Sequence, residues 1–197
     1  AYPAGSWMAY DKPLQLGGCK ITIEHSPQGK TVSFTTPYLT VDRRTVLVHS
    51  QFVRRDQLDK YLAYAFIPSF CTDRIFLAAA HIANHGLEQA SYISPMRDAI
   101  DLGLKPTNHT YFNVVPIDQM LVLRSAVNRL DRNGEVIGAD QRNTPQKALQ
   151  AITINATYQA FEEDNKGSIE VGKLADLVVL DANPLRVDPE IIKGISI

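Results

Sequence analysis

The chain has 197 residues, 45% of them hydrophobic and 21% charged, and its 20 Lys plus Arg against 21 Asp plus Glu leave a formal net charge of −1. That is ordinary globular composition, with neither the basic stripe of a nucleic-acid binder nor an acidic tail for a basic partner. No run of about 18 apolar residues exists, so no membrane-crossing helix is expected.

Length as a prior gives one domain or slightly more. The longest charge run, Glu162-Glu163-Asp164, reads as a solvated helix end or loop. Cys19 and Cys71 form no metal, redox or disulfide spacing and read as small buried hydrophobes. With no signal peptide visible, a reducing, cytoplasmic location is the expectation. Asn108-His109-Thr110 and Asn155-Ala156-Thr157 match the glycosylation triplet, which carries little weight without a secretory signal. The opening Ala1-Tyr2-Pro3, without an initiating Met, reads as a cut piece.

Along the chain, residues 1–18 are rich in Gly, Pro and Tyr and read as loop. Cys19 to Glu24 alternates as a short strand, closed by the turn signal Ser26-Pro27-Gln28-Gly29-Lys30. Thr45 to His49 is a β-branched apolar run, consistent with a strand buried on both faces. Helical spacing of Leu58, Tyr61, Leu62 and Ala65 predicts a helix near 56–64. Phe66 to Phe70 is a strand candidate that its proline weakens, because proline cannot donate to a sheet ladder.

Ser94-Pro95 opens a helix that Gly103 stops, and Leu104 to His109 is the next strand candidate. Residues 117–131 carry a strong amphipathic stripe through Met120, Leu121, Leu123, Val127 and Leu130. Thr144-Pro145 caps a further helix expected over 145–161. From Gly167 the period becomes two, and Ser168–Val171 and Ala175–Leu180 read as a small antiparallel unit. Strand and helix thus alternate before short closing strands, the pattern of an α/β fold with parallel strands and a β appendage.

The C-terminal run Gly-Ser-Ile-Glu-Val-Gly-Lys-Leu-Ala-Asp-Leu-Val-Val-Leu-Asp over 167–181, followed by Asn183-Pro184-Leu185, resembles the closing signature of the amidohydrolase superfamily, of the family 3 type. Ala148 to Phe161 resembles its last barrel helix. Arg43–Ser50, Ile67–Phe70 and Ile93–Thr110 resemble later barrel strands, and Leu16–Thr31 an earlier one. The resemblance implies a (β/α)8 TIM barrel, here partial or incompletely represented, over residues 1–162, with a small C-terminal β-sandwich segment over 163–197. A closed barrel typically takes about 250 residues, so this chain would need missing pieces to close.

The resemblance also implies a divalent metal, zinc first, whose water attacks the C–N carbonyl of a small amide or cyclic amide. Of the six expected ligand positions, Lys20 matches the bridging lysine and His49 one lone histidine. The His-x-His pair would precede Ala1. The other lone histidine would fall between Thr31 and Arg43, where Thr40 passes to Val41 and residues are expected to be omitted. His109-Thr110-Tyr111 stands where His-Ser/Thr-Asp is expected, so Tyr111 replaces the catalytic aspartate and His109 is the candidate substrate contact. A phenol stays neutral at pH 7 and cannot act there as an anionic ligand or base.

Arg74 and Ala78-Ala79-Ala80 occupy the region of an expected loop histidine and Trp-Gly-Asp element. His81 and His85, four apart, would share one helix face as zinc pairs do, but with no third ligand the spacing reads as chance. His25 reads as a loop residue and Asp176 as a turn and strand-start device. No Ser/His/Asp elbow or phosphate-cradling loop occurs. The competing expectation is a degenerate scaffold or fragment that holds no metal. The implied partner is a small-molecule amide, with neither nucleic acid nor membrane; a homodimer is left open.

Overall fold

The computed structural model describes residues 10, 11, 14, 15 and 44–197. The chain divides into two compact units, Ala1–Tyr38 and Leu39–Ile197. In the first, β1 (Tyr10–Asp11) pairs antiparallel with β2 (Leu14–Gln15). The strand expected at 19–24, Lys20 and the Thr40–Val41 junction lie outside the described residues.

The second unit carries a parallel sheet in the order β3 (Val46–His49), β4 (Ile67–Phe70), β5 (Thr107–Asn108). α1 (Arg55–Ala63) connects β3 to β4, and α2 (Ala78–His85), α3 (Leu87–Ser91) and α4 (Met96–Asp101) lie between β4 and β5. The mixed α/β class and the parallel strands agree with the sequence reading, although β5 is shorter than the expected 104–109. Leu104 N–H turns back to Ala99 C=O at the exit of α4, and Pro106 has no N–H to give a ladder.

Pro68 sits inside β4, between two paired neighbours, for a reason the register supplies. Ile67 N–H donates to Thr45 C=O toward β3, and His109 N–H donates to Phe70 C=O from the β5 side. Alternation therefore turns the nitrogen of Pro68 toward β5, whose pairing begins only at Ser69 opposite Thr107. No ladder bond is lost.

α5 (Gln119–Asn128) is shorter than the 117–131 stripe suggested. The Asp118 carboxylate accepts from Leu121 N–H as N-cap, and Arg129, at φ 53°, ends the helix in the left-handed region. α6 (Pro145–Ile152) starts as expected, with the Thr144 hydroxyl accepting from Lys147 N–H. The single helix expected over 145–161 is broken at Thr153 (φ −123°, ψ −97°), and α7 (Ile154–Gln159) continues beyond it. No described helix is long and apolar enough to cross a membrane.

Leu58, Phe70, Met96, Leu123, Ala148 and Ile192 meet in one buried cluster. The sheet, α1, α4, α5 and α6 therefore share a core with the C-terminal 3-10 turn Pro189–Gly194, which Asn128 Nδ2 fastens by donating to Pro189 C=O at 2.8 Å. A second cluster gathers Ile75, Ala78, Ile93 and Ile137, with Phe52 and Ile82 against it. Beside this second cluster lies Arg129, 1% exposed, its guanidinium spent on backbone carbonyls that include those of Ile93 and Ile137.

The antiparallel unit expected at 168–171 and 175–180 does not form: residues 168–180 contain no strand. Ile169 is 89% and Val179 84% exposed, and of these apolar side chains Leu180 packs against the core, so among the described residues no opposing face covers the alternating stripe. A two-stranded ribbon without a packed face is marginal in water, which explains why period-two patterning alone does not make strands here. Among the described residues three strands are parallel, which accords with a partial α/β fold and leaves the eight strands of a barrel unshown.

Candidate functional site

Strand alternation puts Ser69 and Thr107 on one face of the sheet and Phe70 and Asn108 on the other. β3 ends at His49, in register with Phe70, where the chain leaves the extended region: His49 has φ 74° and Ser50 φ 42°. Two consecutive left-handed non-glycine residues are rare and costly, and such backbone is kept mainly where it aims a side chain. The Ser50 hydroxyl closes this turn by donating to Leu47 C=O at 2.9 Å. His109 leaves β5 one residue past its end.

At these strand ends His49 Nδ1 lies 2.9 Å from His109 Nε2, and His109 Nδ1 lies 2.9 Å from Ser69 Oγ. The Tyr111 ring stands edge-on to His49, centroids 4.8 Å apart, and the Arg74 guanidinium covers the Tyr111 face at 4.5 Å. The structure thus brings His49, His109 and Tyr111 to one mouth, where parallel strands deliver functional side chains. The site is a hydrogen-bonded line, Ser69–His109–His49, flanked by an aromatic ring.

Beneath it is a polar layer that sequence reasoning missed. Asp73 is fully buried; its Oδ1 accepts from the Cys71 thiol and its Oδ2 from the Thr110 hydroxyl, both at 2.9 Å. Asn108 crosses from β5 to the exit of β4, accepting from Thr72 N–H at 3.1 Å and donating to the Thr72 hydroxyl at 2.8 Å. Burial, then the Asp73 carboxylate, pushes the Cys71 thiol well above its usual range, so this cysteine is no nucleophile. Asp73 and Ser69 carried one legible signal: each lies at or just past the C-terminal end of a parallel strand.

Whether these residues fit a divalent ion can be read from the donors. A ligating histidine offers one ring nitrogen and donates the other N–H outward. With His49 Nδ1 engaged by His109, Nε2 is the atom that would face an ion. A zinc centre needs three protein ligands or more, and among the described residues no group of three His, Cys, Asp or Glu side chains gathers to hold one. The described residues therefore supply a hydrogen-bonded histidine pair, and not a complete centre.

A sequence model described as amidohydrolase family matches residues 12–197. Among curated proteins, the chain is 31% identical over 94 residues to an N-substituted formamide deformylase of Arthrobacter pascens, covering 46% of this chain and 17% of that protein. It is 49% identical over 41 residues to an imidazolonepropionase of Streptococcus sanguinis, covering 21% of this chain and 10% of that one. Among solved structures, a metal-dependent hydrolase of Pyrococcus horikoshii superposes with a TM-score of 0.66 at 23% identity, covering 75% of this chain and 30% of that one. One from Pyrococcus furiosus gives 0.62 at 23% identity, covering 73% and 29%. The chain thus spans less than a third of the length of each, and the structural likeness speaks for fold alone.

Proposed function

The chain belongs to the amidohydrolase family, and from that premise we propose that the whole protein is a metal-dependent hydrolase of C–N bonds in small amides or cyclic amides. The observation that carries the reading is the Ser69–His109–His49 line at the ends of parallel strands. A divalent ion, zinc first, supplies an acidified water and a polarised carbonyl when bound. His49 would hold it through Nε2, together with Lys20 and with ligands from outside the described residues. His49 Nδ1–H then donates to His109 Nε2, and His109 Nδ1–H to the Ser69 hydroxyl, which fixes both tautomers. His109, at the mouth, is placed to meet the substrate. The barrel over 1–162 and the sandwich segment over 163–197 belong to this same reading, as does a cytoplasmic setting.

The test is turnover by the whole protein on formamides, linear amides and cyclic amides, before and after chelation. Hydrolysis lost on chelation and restored by zinc is the expected result. Turnover that survives complete removal of metal would overturn the reading. Tyr111 favours one rival, a scaffold that has lost its centre, because a neutral phenol stands where a carboxylate is expected. On the metal-dependent reading, Tyr111→Asp places an anion beside His49 and should tighten zinc retention about tenfold, the scale of a supporting-ligand effect. On the rival reading neither the parent protein nor the variant retains zinc through dialysis.

A further inference from the structure

The backbone ladder between β4 and β5 is short. Ser69 opposes Thr107, Phe70 opposes Asn108, and among the described residues the bond from His109 N–H to Phe70 C=O comes last. Past that point side chains continue the pairing. Ser69 Oγ meets His109 Nδ1 at 2.9 Å, and the Thr72 hydroxyl accepts from Asn108 Nδ2 at 2.8 Å. Asp73 Oδ2 accepts from the Thr110 hydroxyl at 2.9 Å, and the Arg74 guanidinium covers the Tyr111 ring. Residues 69–74 therefore grip 108–111 on both sides of Thr110.

Thr110 is the pivot of this grip. Along an extended segment, residues two apart share a face and the one between them turns away. His109 and Tyr111 both meet His49, while the Thr110 side chain between them turns to Asp73. The Thr110 hydroxyl proton is shared with Pro116 C=O at 3.1 Å, closing a turn in which Val114 and Val115 N–H donate to Tyr111 C=O. Val115, 2% exposed, pins that turn to the interior. Asp73 is held in its own right: it is fully buried, and its Oδ1 accepts from the Cys71 thiol at 2.9 Å. A buried carboxyl group is destabilising beside a well-packed apolar one of similar size, and what it contributes instead is one fixed arrangement of its partners.

We propose that Asp73 is a positioning residue: through the Thr110 hydroxyl it aims His109 and Tyr111 at His49. The aim follows from these contacts alone, and its effect on turnover rests on the hydrolase reading above.

The experiment reads the two separately. Imidazole nitrogen resonances of His49 and His109, which report tautomer and hydrogen bonding, are recorded in the whole protein and its variants. Thr110→Val, which keeps the shape and loses the hydroxyl, should move both rings, and Thr110→Ser should return them to the parent positions. Asp73→Leu, close in shape but unable to accept, should move them as well, yet add nothing in the Thr110→Val background. Rings unmoved in Thr110→Val, or moved equally in Thr110→Ser, would overturn the proposal. So would full additivity of the two changes, which would mean that Asp73 acts by another route. Should Asp73→Leu not fold, the two Thr110 variants decide alone. In parallel, turnover of a formamide should fall about tenfold or more in Thr110→Val, through kcat with KM little changed, and recover in Thr110→Ser. An unchanged kcat in Thr110→Val would overturn the proposal with the hydrolase reading intact. Rings that respond as expected in a parent protein that hydrolyses no amide would sink the hydrolase reading and leave the positioning role standing.

Discussion

Replacing Arg129 with alanine is expected to destabilise the second unit by about 3–5 kcal/mol, lowering its melting temperature by roughly 10 °C or more. Arg129 Nε donates to Ile137 C=O at 2.6 Å, and its Nη2 donates to Ile93 C=O at 2.9 Å and Ser91 C=O at 3.0 Å. These carbonyls belong to the last residue of α3, the loop after it and the segment after α5, so one side chain ties the exits of two elements. Burial pulls the guanidinium down to about 10, with Asp140 working against that shift, so it remains charged at neutral pH. Truncation removes the donors, strands the carbonyls and opens a cavity at once. Gly138 tightens the same knot: at φ 66° it lies so close to Ser91 C=O that a Cβ would collide with it. Arg129→Lys keeps the charge but offers one point where the guanidinium forks, so it should recover only a minor part of the loss. Thermal unfolding followed by circular dichroism reads both variants. A shift of under 2 °C in Arg129→Ala would refute this account.

The second large effect is expected along the Ser69–His109–His49 line. In the whole protein, zinc retention should fall in a graded order: abolished in His49→Ala, weakened about 10–100-fold in His109→Ala, and weakened least in Ser69→Ala. The order follows from distance to the ion. In the proposed centre His49 would be the ligand, His109 would fix its tautomer through the 2.9 Å contact at Nδ1, and Ser69 would fix His109 in turn. His109→Gln, which keeps an acceptor near Nε2, should hold zinc better than His109→Ala. Zinc content after dialysis and competition with a chelator of known affinity measure the series. Equal retention in His49→Ala and the parent protein would remove His49 from the metal, and a Ser69→Ala loss exceeding that of His109→Ala would break the proposed chain.

Much of the α/β framework was legible in local pattern. The β-branched run before His49 became β3, the Leu58 and Tyr61 spacing became α1, and Thr144-Pro145 capped α6 where expected. Helix and strand periodicity, caps and proline effects are properties of a few neighbouring residues, so a sequence displays them directly. What required the fold is non-local. His49 and His109 are 60 residues apart, and Ser69 and His109 are 40 apart; no spacing rule brings them together, and only the β3-β4-β5 register does. The same limit explains the failure at 168–180, where alternation wrote two strands and tertiary context supplied no face to bury them. A side chain's periodicity is set by the chain that carries it, but its partner is set by whatever packing brings alongside.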